Sequence, residues 1–313
     1  MLVKKVYVRG YRPEMAAGHW IYKGYKNAWE SLGYETVVYE NLSDIKDAGP
    51  AGTYYLQAVD SDINSLAAYQ VVKNSAKSFI YVQPNIFPLP WGSHPNFQCH
   101  CPDRFIEQIN GLDNTFLWCF DNIDGTAPFH TKWKKVNTLS LAFDSVAYKD
   151  IKDDRYAYDV CYIGGRANNG FDEKYKIMLN YFGKFRDSKR KIGIFISRNL
   201  THEQENAILC NSKVCLNIHD NYQKTLVTKD TNERTFKSLG CGGILVSDKE
   251  GFVPENFPDV PIASTPDQML ALTEHYLNMP ESELQKIREK HKKLIYEKHT
   301  YISRVKEELS FEQ

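Results

Sequence analysis

Two cations stand at the start of a short helix that the sequence predicts near Thr231. Thr231 or Asn232 is suited to be the N-cap, which leaves free backbone N–H groups pointing into the preceding loop. Arg234 and Lys237 follow, one turn apart on one predicted helix face. A helix N-terminus with two nearby cations is suited to bind a phosphate or diphosphate. The alternative is an ordinary core helix whose two cations lie in solvent.

Apolar strands are predicted on both sides of this helix. Val214–Ile218 comes before a polar loop, and Ile244–Val246 follows a glycine-rich stop at the end of the helix. Parallel sheets are built from such strand–loop–helix–strand units, and their ligands lie beyond the carboxyl ends of the strands. We therefore expect the phosphate site at the edge of a parallel sheet.

Three segments resemble, in chain order, the CgeB-like branch of the group 1 glycosyltransferases. They are Y-D-V-C-Y-I-G-G-R (Tyr158–Arg166), N-x-R-x-F followed by L-G-C-G-G and an apolar strand that ends in Asp248, and E-K-H-T-Y-I-S-R-V-K (Glu297–Lys306). The resemblance covers roughly the second half of the chain, and the first half shows it only in architecture. It implies an α/β fold of the GT-B type, with two doubly wound Rossmann-like domains that face each other across a cleft and a C-terminal helix that crosses back.

The length and the order of the predicted elements agree with two domains. A chain of 313 residues exceeds what one core usually supports. Residues 1–150 are predicted to form a Rossmann-like domain on the acceptor side, and residues 151–300 a Rossmann-like domain that binds the nucleotide-sugar. Residues 301–313 are expected to form a helix that packs on the first domain. The polar stretch Asp144–Tyr158 is predicted to be the linker.

Composition excludes several classes of protein. Lys+Arg and Asp+Glu both number 39, so no overall field attracts the chain to nucleic acid or to a membrane. The basic clusters at 132–135 and 189–191 leave a DNA acceptor open but do not favour it. No apolar run is long enough to span a bilayer, and most cysteines lie in apolar runs, so we expect a cytoplasmic protein without structural disulfides. The Cys99-His100-Cys101 triplet lacks the second ligand pair of a zinc site.

The resemblance also implies how the donor is bound. The leaving group is a nucleoside diphosphate, and its developing charge is expected to be neutralised by a helix N-terminus and cations, without a divalent metal or a separate cofactor. The Asp60-Ser61-Asp62 triplet has the spacing of a metal-chelating motif, but it lies in the first domain and is better explained as the cap of a helix that starts at Ile63. Gly164 and Gly165 either let the backbone approach the diphosphate or form a tight turn. The residues expected to bind the donor are Gly164, Gly165, Arg166, Arg198, Asn217, Asn232, Arg234, Thr235 and Lys237.

One departure from the superfamily concerns stereochemistry. Retaining members carry Glu-x7-Glu where this chain has Lys229 and Lys237, so retention and inversion both stay open. An inverting enzyme needs a general base from the first domain. His19, at the start of a helix after the first strand, is the first candidate; its alternative role is packing beside Trp20. Asp60 and His94, on strand-end loops, are weaker candidates.

The sequence therefore predicts a metal-independent glycosyltransferase that uses a nucleotide-diphosphate sugar. The acceptor is open: a glycan, a protein, a small molecule or a modified DNA base would fit. Two other functions stay open as well. One is a GT-B-fold binding protein without turnover, which the two missing glutamates motivate. The other is an epimerase-like enzyme that acts on the nucleotide-sugar itself.

Overall fold

The computed structural model describes residues 3–10, 17–81, 108–119, 136–165, 173–196, 200–220 and 231–311. The chain forms two compact units, one of the residues up to Ser140 together with those from Tyr301, the other of Leu141–Thr300. Both units alternate strands with helices, so the predicted α/β class is confirmed. The described elements are, in chain order, β1 (Lys5–Arg9), α1 (Ala17–Ser31), β2 (Glu35–Tyr39), β3 (Tyr54–Val59), α2 (Leu66–Asn74), β4 (Lys77–Tyr81), β5 (Thr115–Cys119), β6 (Val136–Thr138), β7 (Val160–Gly164), α3 (Glu173–Gly183), β8 (Ile192–Ile196), α4 (His202–Asn211), β9 (Val214–Asn217), α5 (Glu233–Gly240), β10 (Ile244–Asp248), α6 (Phe252–Asn256), β11 (Ile262–Ala263), α7 (Pro266–Leu277), α8 (Glu281–Lys298) and α9 (Tyr301–Leu309).

Each unit contains one parallel sheet with the same winding. The first sheet has the order β2-β1-β3-β4-β5-β6 and the second β11-β10-β9-β7-β8, and all recorded strand pairs are parallel. In such doubly wound sheets the strand order reverses at one point, and ligands bind there, beyond the carboxyl ends of the strands. The reversal lies between β1 and β3 in the first unit and between β7 and β9 in the second.

The helices follow the apolar patterns of the sequence closely. The bounds predicted for α8 and α9 are confirmed, and Thr265 caps α7 as expected, accepting a hydrogen bond from Gln268 N at 3.2 Å. None of the described helices is long and apolar enough to cross a membrane. The strand predicted at 136–143 ends earlier, at Thr138. The helix predicted near 104–109 lies largely outside the described residues.

The stretch Asp144–Tyr158, predicted to be a linker, belongs to the second unit, and the two units meet in sequence between Ser140 and Leu141. Tyr148 is buried and donates a hydrogen bond to Glu205 Oε2 at 2.8 Å. The Asp144 carboxylate accepts hydrogen bonds from two backbone N–H groups of the following turn. The polar side chains of this stretch therefore satisfy its own backbone and the adjacent core, and do not mark a boundary.

Helix α9 belongs to the first unit because it packs against α1. An added Cβ at Gly24 would lie 2.3 Å from the ring of Tyr301, so the two helices approach closely only because residue 24 has no side chain. The ring of Tyr25 lies 4.9 Å from that of Tyr301. The end of the chain thus completes the core of the unit in which the chain begins.

Candidate functional site

Arg234 lies at the point where the strand order of the second sheet reverses. Its Nε donates to the carbonyl oxygen of Ile163 on β7 at 2.5 Å, and its Nη1 donates to Asn217 Oδ1 at the end of β9 at 2.7 Å and to the carbonyl of Ile218 at 3.3 Å. The pairing of β7 with β9 covers only the two positions from Val160, before these carboxyl ends. The guanidinium therefore joins the ends of two strands beyond their last shared ladder position.

Gly164 is required by this placement of Arg234. An added Cβ at position 164 would lie 2.1 Å from Nη2 of Arg234, far inside van der Waals contact, and 2.8 Å from the Tyr162 hydroxyl. The guanidinium carbon itself lies 4.4 Å from the centre of the Tyr162 ring. Among the described residues, no acceptor binds Nη2. Three of the five N–H groups of the guanidinium are donated to described acceptors, and the two on Nη2 have no acceptor among the described residues.

A second cation, which the sequence reasoning missed, lies at the same edge of the sheet. Lys174 is in the first turn of α3, the helix that follows β7, and only 5% of it is exposed. Its Nζ lies 3.3 Å from Oδ2 of Asp220, which follows β9. Because an ammonium is buried only when a partner offsets its desolvation, Asp220 holds Lys174 in place. The position of a lysine at the start of the helix after β7 was the available signal in the sequence.

Behind Arg234 lies a buried network of polar side chains. Asn217 Nδ2 donates to Thr235 Oγ1 at 2.8 Å, Thr235 Oγ1 lies 2.8 Å from Thr231 Oγ1, and Thr231 Oγ1 lies 2.6 Å from His219 Nε2. His219 Nδ1 lies 2.6 Å from Asp248 Oδ1, and the Asp248 carboxylate also accepts the backbone N–H of His219. All five side chains are completely shielded from solvent. Buried polar groups of this kind persist only when they are hydrogen-bonded, so the network fixes the local structure.

The start of α5 differs from the sequence expectation in its cap. Asn232 is the N-cap residue, but its side chain makes no capping hydrogen bond, and the hydroxyl of Thr231 belongs to the buried network. Both polar atoms of the Asn232 side chain are shielded, and within the described ranges neither has a hydrogen-bond partner. The N–H groups of the first turn of α5 are thus not used by either of the two side chains predicted to cap it.

Lys237 does not accompany Arg234. It is 5% exposed, and its Nζ lies 3.2 Å from Glu205 Oε1 and 3.0 Å from Glu233 Oε2. Burial lowers the pKa of Lys237, but the two carboxylates outweigh that effect and raise it, so the ammonium is held in its charged form. The two residues predicted to share one helix face therefore diverge: Arg234 reaches the sheet edge, and Lys237 lies between α4 and α5. We accordingly leave Lys237 out of the proposed site.

In the first unit, the structure describes the surroundings of His19 and Asp60, two of the residues predicted to be candidates for a general base. The His19 ring packs edge-on against Trp20, with 4.8 Å between ring centres, as in the alternative role. Asp60 has no exposed surface, and its carboxylate accepts the backbone N–H of Ser61 at 2.8 Å. The Asp60–Asp62 segment is itself a short 3-10 turn, and the next helix begins at Leu66 with Ser65 as its cap, so the predicted capping role is wrong.

Several predicted residues lie outside the described residues. They are Arg166, Arg198, His94, Lys229 and the basic cluster at 132–135. In the other basic cluster, Arg190 forms an ion pair with Glu274 at 2.7 Å. It precedes β8 and therefore lies at the amino end of that strand, whereas Arg234 lies at the carboxyl ends of β7 and β9. Within the described ranges, no three His, Cys, Asp or Glu side chains are grouped so as to hold a metal ion.

Comparisons with known proteins agree with this fold. Residues 162–310 match the family model "glycosyl transferase-like". An α-glucosyltransferase solved with UDP and a 13-mer DNA that contains an HMU base is 11% identical, with a TM-score of 0.64 and 99% of each chain covered. A glycosyltransferase from Rickettsia africae is 10% identical, with a TM-score of 0.60 and coverage of 99% of this chain and 98% of that one. The Anabaena protein HepE, solved with UDP and glucose, is 9% identical, with a TM-score of 0.58 and coverage of 98% and 99%. No curated protein gives a match.

The chain has the GT-B fold, and the family match, which covers slightly less than half of the chain, supports a glycosyltransferase. The family match agrees with the group 1 resemblance that the three sequence segments indicated. The matched residues contain the end of β7, the start of α3 and α5, which carry Gly164, Lys174 and Arg234.

Proposed function

We propose that this protein transfers a sugar from a nucleoside-diphosphate sugar to an acceptor, and that the diphosphate is bound at the carboxyl edge of the second sheet. The observation that carries the proposal is the Arg234 guanidinium, which is tied to β7 and β9 at the strand-order reversal and has Nη2 free of described partners. A guanidinium with an open N–H edge suits phosphate oxygens. Solved structures of the same fold contain UDP, which supports a diphosphate ligand.

Lys174 supplies a second positive charge to the proposed site. Its ammonium lies in the first turn of α3, and the paired Asp220 follows the strand that ends in Asn217. Because the leaving diphosphate gains negative charge in the transition state, fixed cations at this edge stabilise the transition state more than the ground state. Within the described residues nothing lies within 4 Å of a Cβ added at Gly165, so the backbone there is open to a ligand.

The proposal includes the finer sequence predictions. They are the CgeB-like branch, a cytoplasmic location, and metal-independent transfer with no cofactor beyond the donor. Metal independence rests on the two cations at the sheet edge, which supply charge that a divalent ion supplies elsewhere. A glycan, a protein, a small molecule and a modified DNA base all stay candidate acceptors, and the zero net charge does not favour DNA.

The test is hydrolysis and transfer with purified protein and a panel of UDP-, GDP-, ADP-, CDP- and dTDP-sugars, each with and without 5 equivalents of EDTA (about that excess suffices for a tight chelator). We expect one nucleotide class to bind and to be turned over, with EDTA changing the rate by less than about twofold. Binding without release of nucleoside diphosphate would indicate a protein without turnover. An isomerised nucleotide-sugar formed without acceptor would indicate the epimerase-like alternative. Loss of turnover in EDTA, restored by Mg²⁺ or Mn²⁺, would refute metal independence.

A further inference from the structure

We infer that His219 and Asp248 are positioning residues: through the hydroxyls of Thr231 and Thr235 they fix the Asn217 amide so that its oxygen holds Arg234. The chain of contacts is continuous from the end of β10 to the strand-order reversal. Neither His219 nor Asp248 contacts Arg234 directly in the described hydrogen bonds. Their effect on a ligand therefore acts through the side chains between them.

The direction of the hydrogen bonds follows from counting protons. Asn217 Nδ2 has two N–H groups, whose nearest acceptors are Thr235 Oγ1 at 2.8 Å and Ser247 Oγ at 3.3 Å, and His219 Nε2 lies slightly farther away, at 3.4 Å. Ser247 donates its own proton to the carbonyl of Asp248 at 3.1 Å, so its oxygen is left to accept from Asn217. The hydroxyl of Thr235 likewise accepts from Asn217 and has one proton to donate onward, to Thr231. An amide held by two acceptors on its nitrogen side necessarily presents its oxygen to Arg234.

Only one assignment of the ring proton of His219 agrees with these hydrogen bonds. Thr231 accepts from Thr235, so it donates to His219 Nε2, which must then be the unprotonated ring nitrogen. The proton of the ring is consequently on Nδ1, where it is donated to Asp248 at 2.6 Å. Every hydroxyl in this arrangement accepts once and donates once. Asp248 thus selects the ring tautomer, and the tautomer selects the direction of both hydroxyls.

The opposite direction leaves the network incomplete. If His219 Nε2 carried the proton, Thr231 would donate to Thr235, and Thr235 would receive two donors while its own proton had no acceptor among these contacts. Turning the Asn217 amide would relieve Thr235 but would place an NH2 group against the Arg234 guanidinium. Two donors facing each other in a buried site are unfavourable. Arg234 would then lose its 2.7 Å contact with Asn217 Oδ1.

This inference deepens the proposed function, because the group that the network positions is the cation proposed to meet the diphosphate. Small displacements of such a group cost much: a misplacement of about 1 Å lowers a rate by roughly 100-fold. We therefore expect changes in the network to reduce transfer, although among the described hydrogen bonds Asn217 is the one network side chain bonded to the Arg234 guanidinium.

The first experiment uses variants that keep the shape of the network. Thr235→Val removes the link between Asn217 and Thr231, Thr235→Ser retains it, and Asp248→Asn removes one of the acceptors that His219 uses. Binding of UDP and of uridine is measured by calorimetry, with GDP, ADP, CDP and dTDP and their nucleosides if UDP does not bind. We expect Thr235→Val and Asp248→Asn to weaken diphosphate binding by about tenfold or more and to leave nucleoside binding unchanged, and Thr235→Ser to stay within about twofold of wild type.

The control is Thr273→Val, because Thr273 is also completely buried and donates to a backbone carbonyl one turn earlier in α7, away from the network. It should lower stability as Thr235→Val does and leave diphosphate binding unchanged. Equal binding losses in the two valine variants would overturn the inference and indicate a general loss of structure. If wild-type protein binds none of the five diphosphates, the proposed function fails.

A second readout needs no ligand. Two-bond ¹H–¹⁵N spectra of histidine-labelled protein report which ring nitrogen of His219 carries the proton, and a crystal structure of Thr235→Val reports where Arg234 lies. We expect the proton on Nδ1 and, in the valine variant, an Arg234 side chain displaced from Asn217. A proton on Nε2, or an unmoved Arg234 in the valine variant, overturns the inference while the proposed function stands.

Discussion

The Nε of Arg234 lies 2.5 Å from the carbonyl oxygen of Ile163, so a residue of helix α5 donates a hydrogen bond to the carboxyl end of strand β7. The carbonyl has no ladder partner on β9 at this position, because the pairing of β7 with β9 covers only Val160 and Cys161. A carbonyl left without a donor in the folded protein costs free energy, and the guanidinium supplies that donor. The same side chain that we propose as a ligand of the diphosphate is therefore also part of the framework.

Arg234→Ala should reduce both stability and transfer. Removing the guanidinium leaves the carbonyls of Ile163 and Ile218 and the oxygen of Asn217 without that donor, which should lower the free energy of unfolding by about 1–3 kcal/mol. Loss of one charge-stabilising donor should also lower turnover by about 100- to 1,000-fold. Chemical denaturation, and turnover at a temperature where the variant is folded, measure the two effects.

Arg234→Lys and Arg190→Ala complete that experiment. An ammonium retains the charge but cannot bridge two strands, so the lysine variant should recover only part of the binding. Arg190 is a matched control: it forms an ion pair with Glu274 at the other edge of the sheet, and its alanine variant should transfer at the wild-type rate. Wild-type affinity for nucleoside diphosphate in folded Arg234→Ala would remove Arg234 from the site.

Gly164→Ala should impair the site through Arg234. The new methyl group would lie 2.1 Å from Nη2, and since the guanidinium is tied to β7 and β9, relief requires breaking those contacts. We expect diphosphate affinity to fall by about tenfold or more, with turnover reduced at least as much. Gly183→Ala is the control, because no described atom lies within 4 Å of its added Cβ, and it should bind as wild type does. Equal diphosphate affinities for wild type, Gly164→Ala and Gly183→Ala would show that the Arg234 side chain can move away from the new methyl group without loss of binding.

The sequence predicted the strand–loop–helix–strand unit but not the directions of its two cations. Residues three apart on a helix are neighbours on its surface, which led to one shared face for Arg234 and Lys237. What separates them comes from distant parts of the chain: the carbonyl of Ile163 attracts Arg234, and the carboxylate of Glu205 attracts Lys237. Local periodicity contains no information about such partners, so a pattern of spacing cannot assign them.

Burial explains two further differences from the sequence expectation. Lys174 is surrounded by charged and polar neighbours in the sequence and resembles a surface residue, yet Asp220, 46 positions away, draws it inward. Asp144–Tyr158 has the composition of a linker, yet Tyr148 fills the second core and Asp144 binds its own turn. Strands and long helices were predictable because their apolar periodicity is continuous, whereas polar residues that bind other polar residues in the interior look exposed in sequence.

Lys237→Met should reduce stability and leave donor binding intact. The lysine forms ion pairs with two buried carboxylates, Glu205 and Glu233, and removing one partner of a buried ion cluster costs about 3–5 kcal/mol. Calorimetry at a temperature at which the variant is folded measures its affinity for UDP, or for the nucleoside diphosphate that wild type binds. An affinity within about twofold of wild type is expected, since Lys237 points away from the sheet edge. A large loss of affinity in folded Lys237→Met would return this residue to the site.

We expect the stability of the first unit to depend on pH through the side chain of Glu308. Its side chain is completely buried, Oε1 accepts from Gln57 Nε2 at 3.0 Å, and within the described residues Oε2 has no partner. Burial, with a smaller effect from Glu307, raises the pKa of Glu308 well above its ordinary value of 4.5. At pH values below the ordinary pKa of 4.5, Glu308 carries the proton in both the folded and the unfolded chain, and it adds no pH dependence to the free energy of unfolding.

Above the ordinary pKa the unfolded chain releases the proton and the folded chain keeps it. The folded state then binds more protons, so this group makes stability fall as pH rises, by up to about 1.4 kcal/mol per pH unit until the raised pKa is reached. Glu308→Gln has no proton to release. The free energy of unfolding of Glu308→Gln minus that of wild type should therefore increase as the pH rises from about 5 to about 8. Urea denaturation across this range measures the difference, and Glu35→Gln, at an exposed position on β2, should change stability by less than about 0.5 kcal/mol. A difference between Glu308→Gln and wild type that does not vary with pH would show that Glu308 is ionised in the folded protein.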